Sequence, residues 1–196
     1  MSKIILDLCG GTGSWSKPYR DAGYDVRVIT LPKHDVRTYE PPGNVYGILA
    51  APPCTMFSLA RTTAKTPRDF IEGIKIVRAC LEIIWECRAK RNLKFWALEN
   101  PLGYLRQFLG KPALTFNPCD YGDNYTKKTD LWGYFNPPKQ NKRQMTEREI
   151  AACKINSRVL PELPKDYVLP RGGGSLAARR SMTSKYFAKA FFEANK

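Results

Sequence analysis

Lys3-Ile-Ile-Leu-Asp-Leu-Cys-Gly-Gly-Thr-Gly-Ser-Trp15 is a short apolar run that stops at three glycines within four residues. Residues 3–8 read as a buried strand and the glycines as a tight turn. A helix follows from about Trp15 to Ala22, with Gly23 available as its C-cap. A glycine-rich turn between a first strand and a helix lets backbone approach a bound nucleoside closely, at the C-terminal edge of a parallel sheet. The Lys-Ser/Thr pair that a phosphate-gripping loop would add is missing, and Asp7 at the strand end suits an amine or hydroxyl instead. Taken alone, the pattern fits a tight turn as well as it fits a nucleotide-like cofactor.

The alternation continues along the chain. Tyr24–Thr30 reads as a second strand, and Val45–Ala50 as a third that ends at two prolines. Thr66-Pro67-Arg68-Asp69 supplies an N-cap hydroxyl, a proline at the first helical position and an acid at the third. Phe70, Ile74, Val77, Leu81 and Ile84 then recur at helical spacing, and Lys90 and Arg91 close the helix favourably for its dipole. Phe95–Leu98 is a further strand, and Ala113–Asn117 and Asp130–Phe135 are two more. Strands alternating with helices predict a mostly parallel, right-handed α/β sheet over residues 1–135. Residues 136–176 differ, being rich in Pro, Lys, Arg, Asn and Gln, with a helix expected near Thr146–Cys153 and a glycine hinge at Arg171–Ser175. Ser181–Ala194 reads as a last helix, within a segment 177–196 that packs back on the core through Phe187, Ala190 and Phe191.

The 196 residues carry a net charge of +14, spread unevenly. Residues 1–135 hold 19 Lys and Arg against 13 acids, whereas residues 136–196 hold 13 against 5. This polarity favours a polyanion, nucleic acid above all, bound mainly by the C-terminal third. The apolar runs are too short to span a bilayer. A strand pattern that begins at Lys3 leaves no expected signal peptide, which points to a cytoplasmic protein. Cysteines at 9, 54, 80, 87, 119 and 153 form no CxxC pair, and His34 is the sole histidine, so no metal is expected and the thiols read as reduced.

Two further stretches bear chemistry. In Ala51-Pro-Pro-Cys-Thr-Met-Phe-Ser58 the prolines fix φ and remove two backbone donors, so neither a central strand nor a helix can continue, and Cys54 is displayed at the mouth of the sheet. A lone cysteine is more often a small buried hydrophobe; the double proline argues for a loop. The following helix N-terminus and Arg61 are expected to lower the Cys54 pKa. In Leu98-Glu-Asn-Pro101, Glu99 ends a buried strand, where a carboxyl costs free energy unless it has a partner. Beside a nucleophilic thiol, a carboxyl with a raised pKa suits a general acid.

Glycine turn, Pro-Pro-Cys and Glu-Asn occur in this order, each at the C-terminal end of a strand, so all can face one cleft. In that constellation the chain resembles the DNA (cytosine-5) methyltransferase family, over roughly residues 3–135 and the last helix, and is similar to its small phage-encoded members. The resemblance implies a Rossmann-like class I S-adenosylmethionine-dependent methyltransferase fold with a small basic C-terminal segment. It implies that Asp7, Leu8, Cys9, Gly11, Gly13, Ser14 and Trp15 line S-adenosylmethionine, that Asp35 and Val36 hold the adenine, and that Pro52 and Ser181 complete the pocket. Cys54 becomes the nucleophile, with Pro53 and Ser58 shaping its loop, and Glu99 contacts the cytosine N3 and amino group with Asn100 beside it. Tyr121-Gly122 and Tyr125-Thr-Lys-Lys-Thr129 stand where the family carries Gln-x-Arg-x-Arg, which implicates Lys127 in catalysis and Thr129 in substrate binding. Departures are Thr55 for the family's Gln, Tyr46 for its Asp, Pro101 for its Val, and a target-recognition region cut to about 40 residues.

The implied activity is methyl transfer from S-adenosylmethionine to C5 of cytosine in DNA, through a covalent Cys54 adduct. Two alternatives stay open: the same chemistry on RNA or free cytidine nucleotides, and a catalytically inactive nucleic-acid-binding protein that retains the fold. Tyr121, Tyr125, Trp132 and Tyr134 are available either to stack bases or to pack. The expected setting is a bacterial or phage-infected cytoplasm.

Overall fold

Strand β1 (Ile4–Leu8) is buried along its whole length, as an Ile-Ile-Leu-Asp-Leu run must be when helices cover both faces of a sheet. The structure, a computed structural model, describes residues 2–62, 64–141, 160–165, 167–169 and 174–196. Around β1 lie α1 (Lys17–Asp21), β2 (Asp25–Ile29), β3 (Val45–Ala50), α2 (Phe70–Ala89), β4 (Phe95–Pro101), α3 (Leu105–Leu109), β5 (Leu114–Phe116), a 3-10 turn (Pro118–Tyr121), β6 (Thr129–Tyr134), α4 (Ser175–Ser181) and α5 (Lys185–Asn195). The sheet has six strands in the order β2-β1-β3-β4-β6-β5. The first four run parallel, and β6 is antiparallel to both β4 and β5. This is the mostly parallel, Rossmann-like α/β architecture expected. Among the described residues no helix is long and apolar enough to cross a membrane.

Strand alternation sorts the core into two layers. Leu6, Leu8, Ile48 and Leu98 pack under α2 and α3 with Val77, Ile84 and Leu105. Ile5, Leu49, Ala97 and Leu131 pack on the other face against Trp15, just ahead of α1, Tyr19 of α1, and Phe187 and Phe191 of α5. At one edge of the sheet β1, β3 and β4 end and β6 begins.

Several local expectations are corrected. Helix α2 starts at Phe70, and its N-cap is Asp69, which accepts from Glu72 N at 2.9 Å; Thr66 instead accepts from Arg61 Nη2 at 2.8 Å. The helix expected over Ser181–Ala194 begins only at Lys185, as α5, and a separate helix, α4, ends at Ser181. Extended backbone at Met182 and Ser184 separates α4 from α5, and Ser184 Oγ caps α5 by accepting from Phe187 N at 3.2 Å. Helix α1 is shorter than predicted; it does end before Gly23, at φ +84, whose N–H returns to Arg20 O at 3.0 Å. Tyr121, Tyr125 and Trp132 are buried and pack, leaving Tyr134 the exposed ring of that set. The helix expected near Thr146–Cys153 and most of the hinge at Arg171–Ser175 lie outside the described residues.

Candidate active site

The Cys54 loop is fastened from below. Ala51 N donates to Leu8 O at 2.9 Å, which ties the end of β3 to the end of β1. Asn100 Nδ2 donates to Pro52 O at 2.9 Å, so one buried amide holds the double proline against β4. Cys54 O accepts from Phe57 N at 2.9 Å and Ser58 N at 2.8 Å, closing a single tight turn. Phe57 is a fully buried anchor, and its carbonyl accepts from Tyr104 N at 2.9 Å. Ser58 pairs with Gly103, where a Cβ would overlap the Phe57 carbonyl.

Cys54, Glu99 and Lys127 meet. Lys127 comes just before β6, the strand that enters this edge instead of leaving it, and its Nζ lies 3.8 Å from Glu99 Oε1. That is an ion pair, too long for a hydrogen bond. Burial pushes the Glu99 carboxyl up from its ordinary value, Lys127 opposes this, and Asp130 adds to it. Burial likewise pushes the Cys54 thiol up, with the Glu99 charge adding and Lys127 opposing. The expected lowering of the Cys54 pKa is thus reversed. Arg61 is engaged with Thr66 Oγ1 and Pro67 O, and the α2 N-terminus is capped by the Asp69 carboxylate. Thr129 Oγ1 donates to Lys127 O at 2.7 Å, so it holds the lysine's backbone. Asp130 is held by a forked pair of 2.6 Å bonds from Arg106 and a 2.7 Å bond from Thr115 Oγ1.

The glycine turn faces two ways. Gly10 backs onto the Asp7 carboxyl, with no room for a Cβ, whereas Gly11, at φ +54, looks onto open space. Asp7 is fully buried, accepts from Ser16 Oγ at 2.6 Å, and has its pKa raised by burial to about 6. It supports the turn from beneath, not from the ligand side. Leu8 and Trp15 are likewise core residues, the Trp15 ring packing 5.4 Å from that of Phe191. Cys9 has a positive φ of 56, and Gly13 of 67. Asp35 is bound by Arg37 at 3.0 Å, and Val36 and Pro52 are buried. Ser181 Oγ donates to Ala178 O at 2.7 Å, so the following residues, not Ser181, reach the site. Thr183 N donates to Ser14 Oγ at 3.0 Å, and Ser184 Oγ donates to Asp123, joining the break between α4 and α5 to the glycine turn and to the segment before Lys127.

That break lines two hollows. A cavity of about 10 Å³ lies beside Glu99, Lys127, Tyr125 and Thr129, with Met182–Ser184 as its lid. It has room for about one water. A cleft of about 550 Å³, also lined by Met182–Ser184, lies between Ser14, Lys17, Asn124, Lys185 and Tyr186. The sequence had singled out Cys54, Glu99 and Lys127 but not Arg68 or Asp123. Arg68 works through backbone carbonyls, which leave no sequence signal. Among the described residues no His, Cys, Asp or Glu cluster gathers as a metal site.

No family model matches the chain, and no curated protein matches it. Among solved structures, a triple mutant of Spodoptera frugiperda DNMT2 is similar over 86% of this chain and 57% of its own, at 17% identity and a TM-score of 0.43. The Entamoeba histolytica methyltransferase EhMeth is similar over 75% and 58%, at 10% identity and a TM-score of 0.39. The chain spans less than two thirds of the length of either. Likeness at this level leaves function to the site's own chemistry.

Proposed function

We propose that this protein transfers a methyl group from S-adenosylmethionine to carbon 5 of cytosine in nucleic acid, with DNA as the first substrate, through an adduct on Cys54. The observation that carries this reading is a strand-end thiol electrostatically coupled to a buried carboxyl–lysine pair, Glu99 and Lys127, 3.8 Å apart.

Carbon 5 of cytosine is a poor nucleophile until a group adds at carbon 6. Cys54 Sγ is the group to add there, as thiolate. Glu99, raised by burial, keeps its proton to a higher pH than an exposed carboxyl and is the donor toward N3. A protonated Glu99 also removes the negative charge that opposes thiolate formation, so one negative charge moves from carboxylate to sulfur with Lys127 beside both. Loss of the C5 proton to solvent, return of the N3 proton to Glu99 and departure of Cys54 as thiolate restore the ring. Covalent catalysis of this kind splits one difficult step into easier ones.

The glycine turn fits the cofactor: Gly11 leaves backbone open, and Ser14 and Thr183 stand together at its rim. Gly11, Gly13, Ser14 and Asp35 would hold it. When bound, its sulfonium supplies the methyl group. The 550 Å³ cleft beside the site is of small-ligand size, which favours a second reading, the same chemistry on RNA or a free cytidine nucleotide.

Tritiated S-adenosylmethionine offered with duplex DNA, single-stranded DNA, RNA and cytidine nucleotides tests both. Label is expected in DNA and absent with Cys54→Ser. Label in RNA or nucleotides alone selects the second reading, and undiminished transfer by Cys54→Ser sinks the nucleophile assignment.

A further inference from the structure

The turn that carries Cys54 is gripped from outside by a single side chain. Arg68 Nη1 donates to Met56 O at 2.9 Å, and Nη2 donates to Ser58 O at 2.9 Å and to Arg61 O at 3.4 Å. Its guanidinium carbon lies 5.0 Å from the centre of the Tyr104 ring. Next in the chain, Asp69 caps α2 through its carboxylate, and its N–H points to Met56 Sδ at 3.4 Å. The grip is therefore mounted immediately ahead of the N-cap of a 20-residue helix that has one face buried in the core. On the inner side, Tyr104 N and Gly103 hold Phe57 and Ser58. The turn sits between two fixtures.

We propose that Arg68 is a positioning residue, a three-carbonyl clamp that keeps the Cys54 turn in the shape that sets the thiol beside Glu99 and Lys127. Its catalytic consequence rests on the methyl transfer proposed above; the clamp itself does not. Lysine has the charge but not the rigid fork, and cannot reproduce three carbonyl contacts from one planar group. Burial is the first cause of the raised Cys54 pKa, with Glu99 and Lys127 the charged groups that face the thiol. A loosened turn admits water. The thiol then reacts faster with a small reagent, while addition to a base, which needs the thiol in place, slows. These two effects run in opposite directions, which a plain loss of structure does not produce.

The test uses the full chain as Arg68→Lys and Arg68→Met, with iodoacetamide labelling resolved cysteine by cysteine by mass spectrometry. Cys54 labelling at neutral pH is expected to rise about tenfold, equivalent to about 1.4 kcal/mol, with Cys80 and Cys87, on the buried face of α2, still protected. With DNA, kcat is expected to fall about tenfold with little change in KM. Unchanged Cys54 labelling in both variants overturns the clamp. So does labelling that rises equally at Cys80 and Cys87, because that reports unfolding. Wild-type behaviour of Arg68→Lys overturns the fork. A rise confined to Cys54 in a protein that transfers no methyl group supports the clamp and counts against the proposed activity alone.

Discussion

Cys54 and Glu99 share one field. Each is pushed up by burial, each is pulled down by Lys127, and the Glu99 charge raises Cys54. Glu99→Gln is therefore expected to move the thiol titration to lower pH, and Lys127→Met to move it higher, as read by the pH dependence of Cys54 alkylation. Equal titrations in all three proteins would contradict the coupling. Asp7 gives a second prediction. Its folded pKa of about 6 lies above the ordinary 3.8, so the native state binds this proton more tightly than the unfolded chain. Stability from this group is present at low pH and falls as pH rises between about 4 and 6, by roughly 3 kcal/mol in all. Asp7→Asn removes that dependence. Its stability relative to wild type should improve from pH 4 to pH 7 by up to that amount in urea denaturation, and a pH-independent difference would contradict the burial cost. Proline chemistry and strand-end position made Cys54 and Glu99 readable from sequence. The direction of the Cys54 shift was not, because it depends on how deeply a loop sits and on which charge reaches it.

The elements around the site were readable where periodicity was long and unreadable where a cap decided the boundary. The apolar repeat from Phe70 to Ile84 marks α2, but two residues ahead of it, Thr66 and Asp69, could both cap. The structure chose Asp69 because Arg61 takes the Thr66 hydroxyl. The helix expected from Ser181 rested on Phe187, Ala190 and Phe191, which say nothing of Met182–Ser184, so the break between α4 and α5 was invisible; it exists because Ser184 caps α5 and also bonds Asp123. Ser184→Ala should cost about 1 kcal/mol as a lost cap, measured by denaturation, and more if the half-buried Asp123 is left unpaired. Gly103→Ala would put a Cβ into the Phe57 carbonyl. It should destabilise the protein by about 1–3 kcal/mol and release the Cys54 turn, seen as faster Cys54 labelling.

At the scale of the molecule, strand–helix alternation was enough to predict a mostly parallel sheet, because apolar runs such as Ile4–Leu8 and Val45–Ala50 demand cover on both faces. The reversal of β6 left no trace in a short apolar run. Yet it is this reversal that brings Lys127 from a strand's beginning to the edge where β1, β3 and β4 finish. The cleft between α1 and α5 carries Lys17 and Lys185. If nucleic acid crosses it, Lys17→Ala and Lys185→Ala should each lower the slope of log K against log salt by just under one, in titrations at several salt concentrations. Unchanged slopes in both would move the nucleic-acid path elsewhere.

The segment Met182–Ser184 borders both hollows at once. Were each hollow to take a ligand, thermodynamic reciprocity would bind the two: any factor that the first imposed on the affinity of the second, the second would impose in return. The one peptide segment both would touch is tied to Ser14 at one point and to Asp123 at the next.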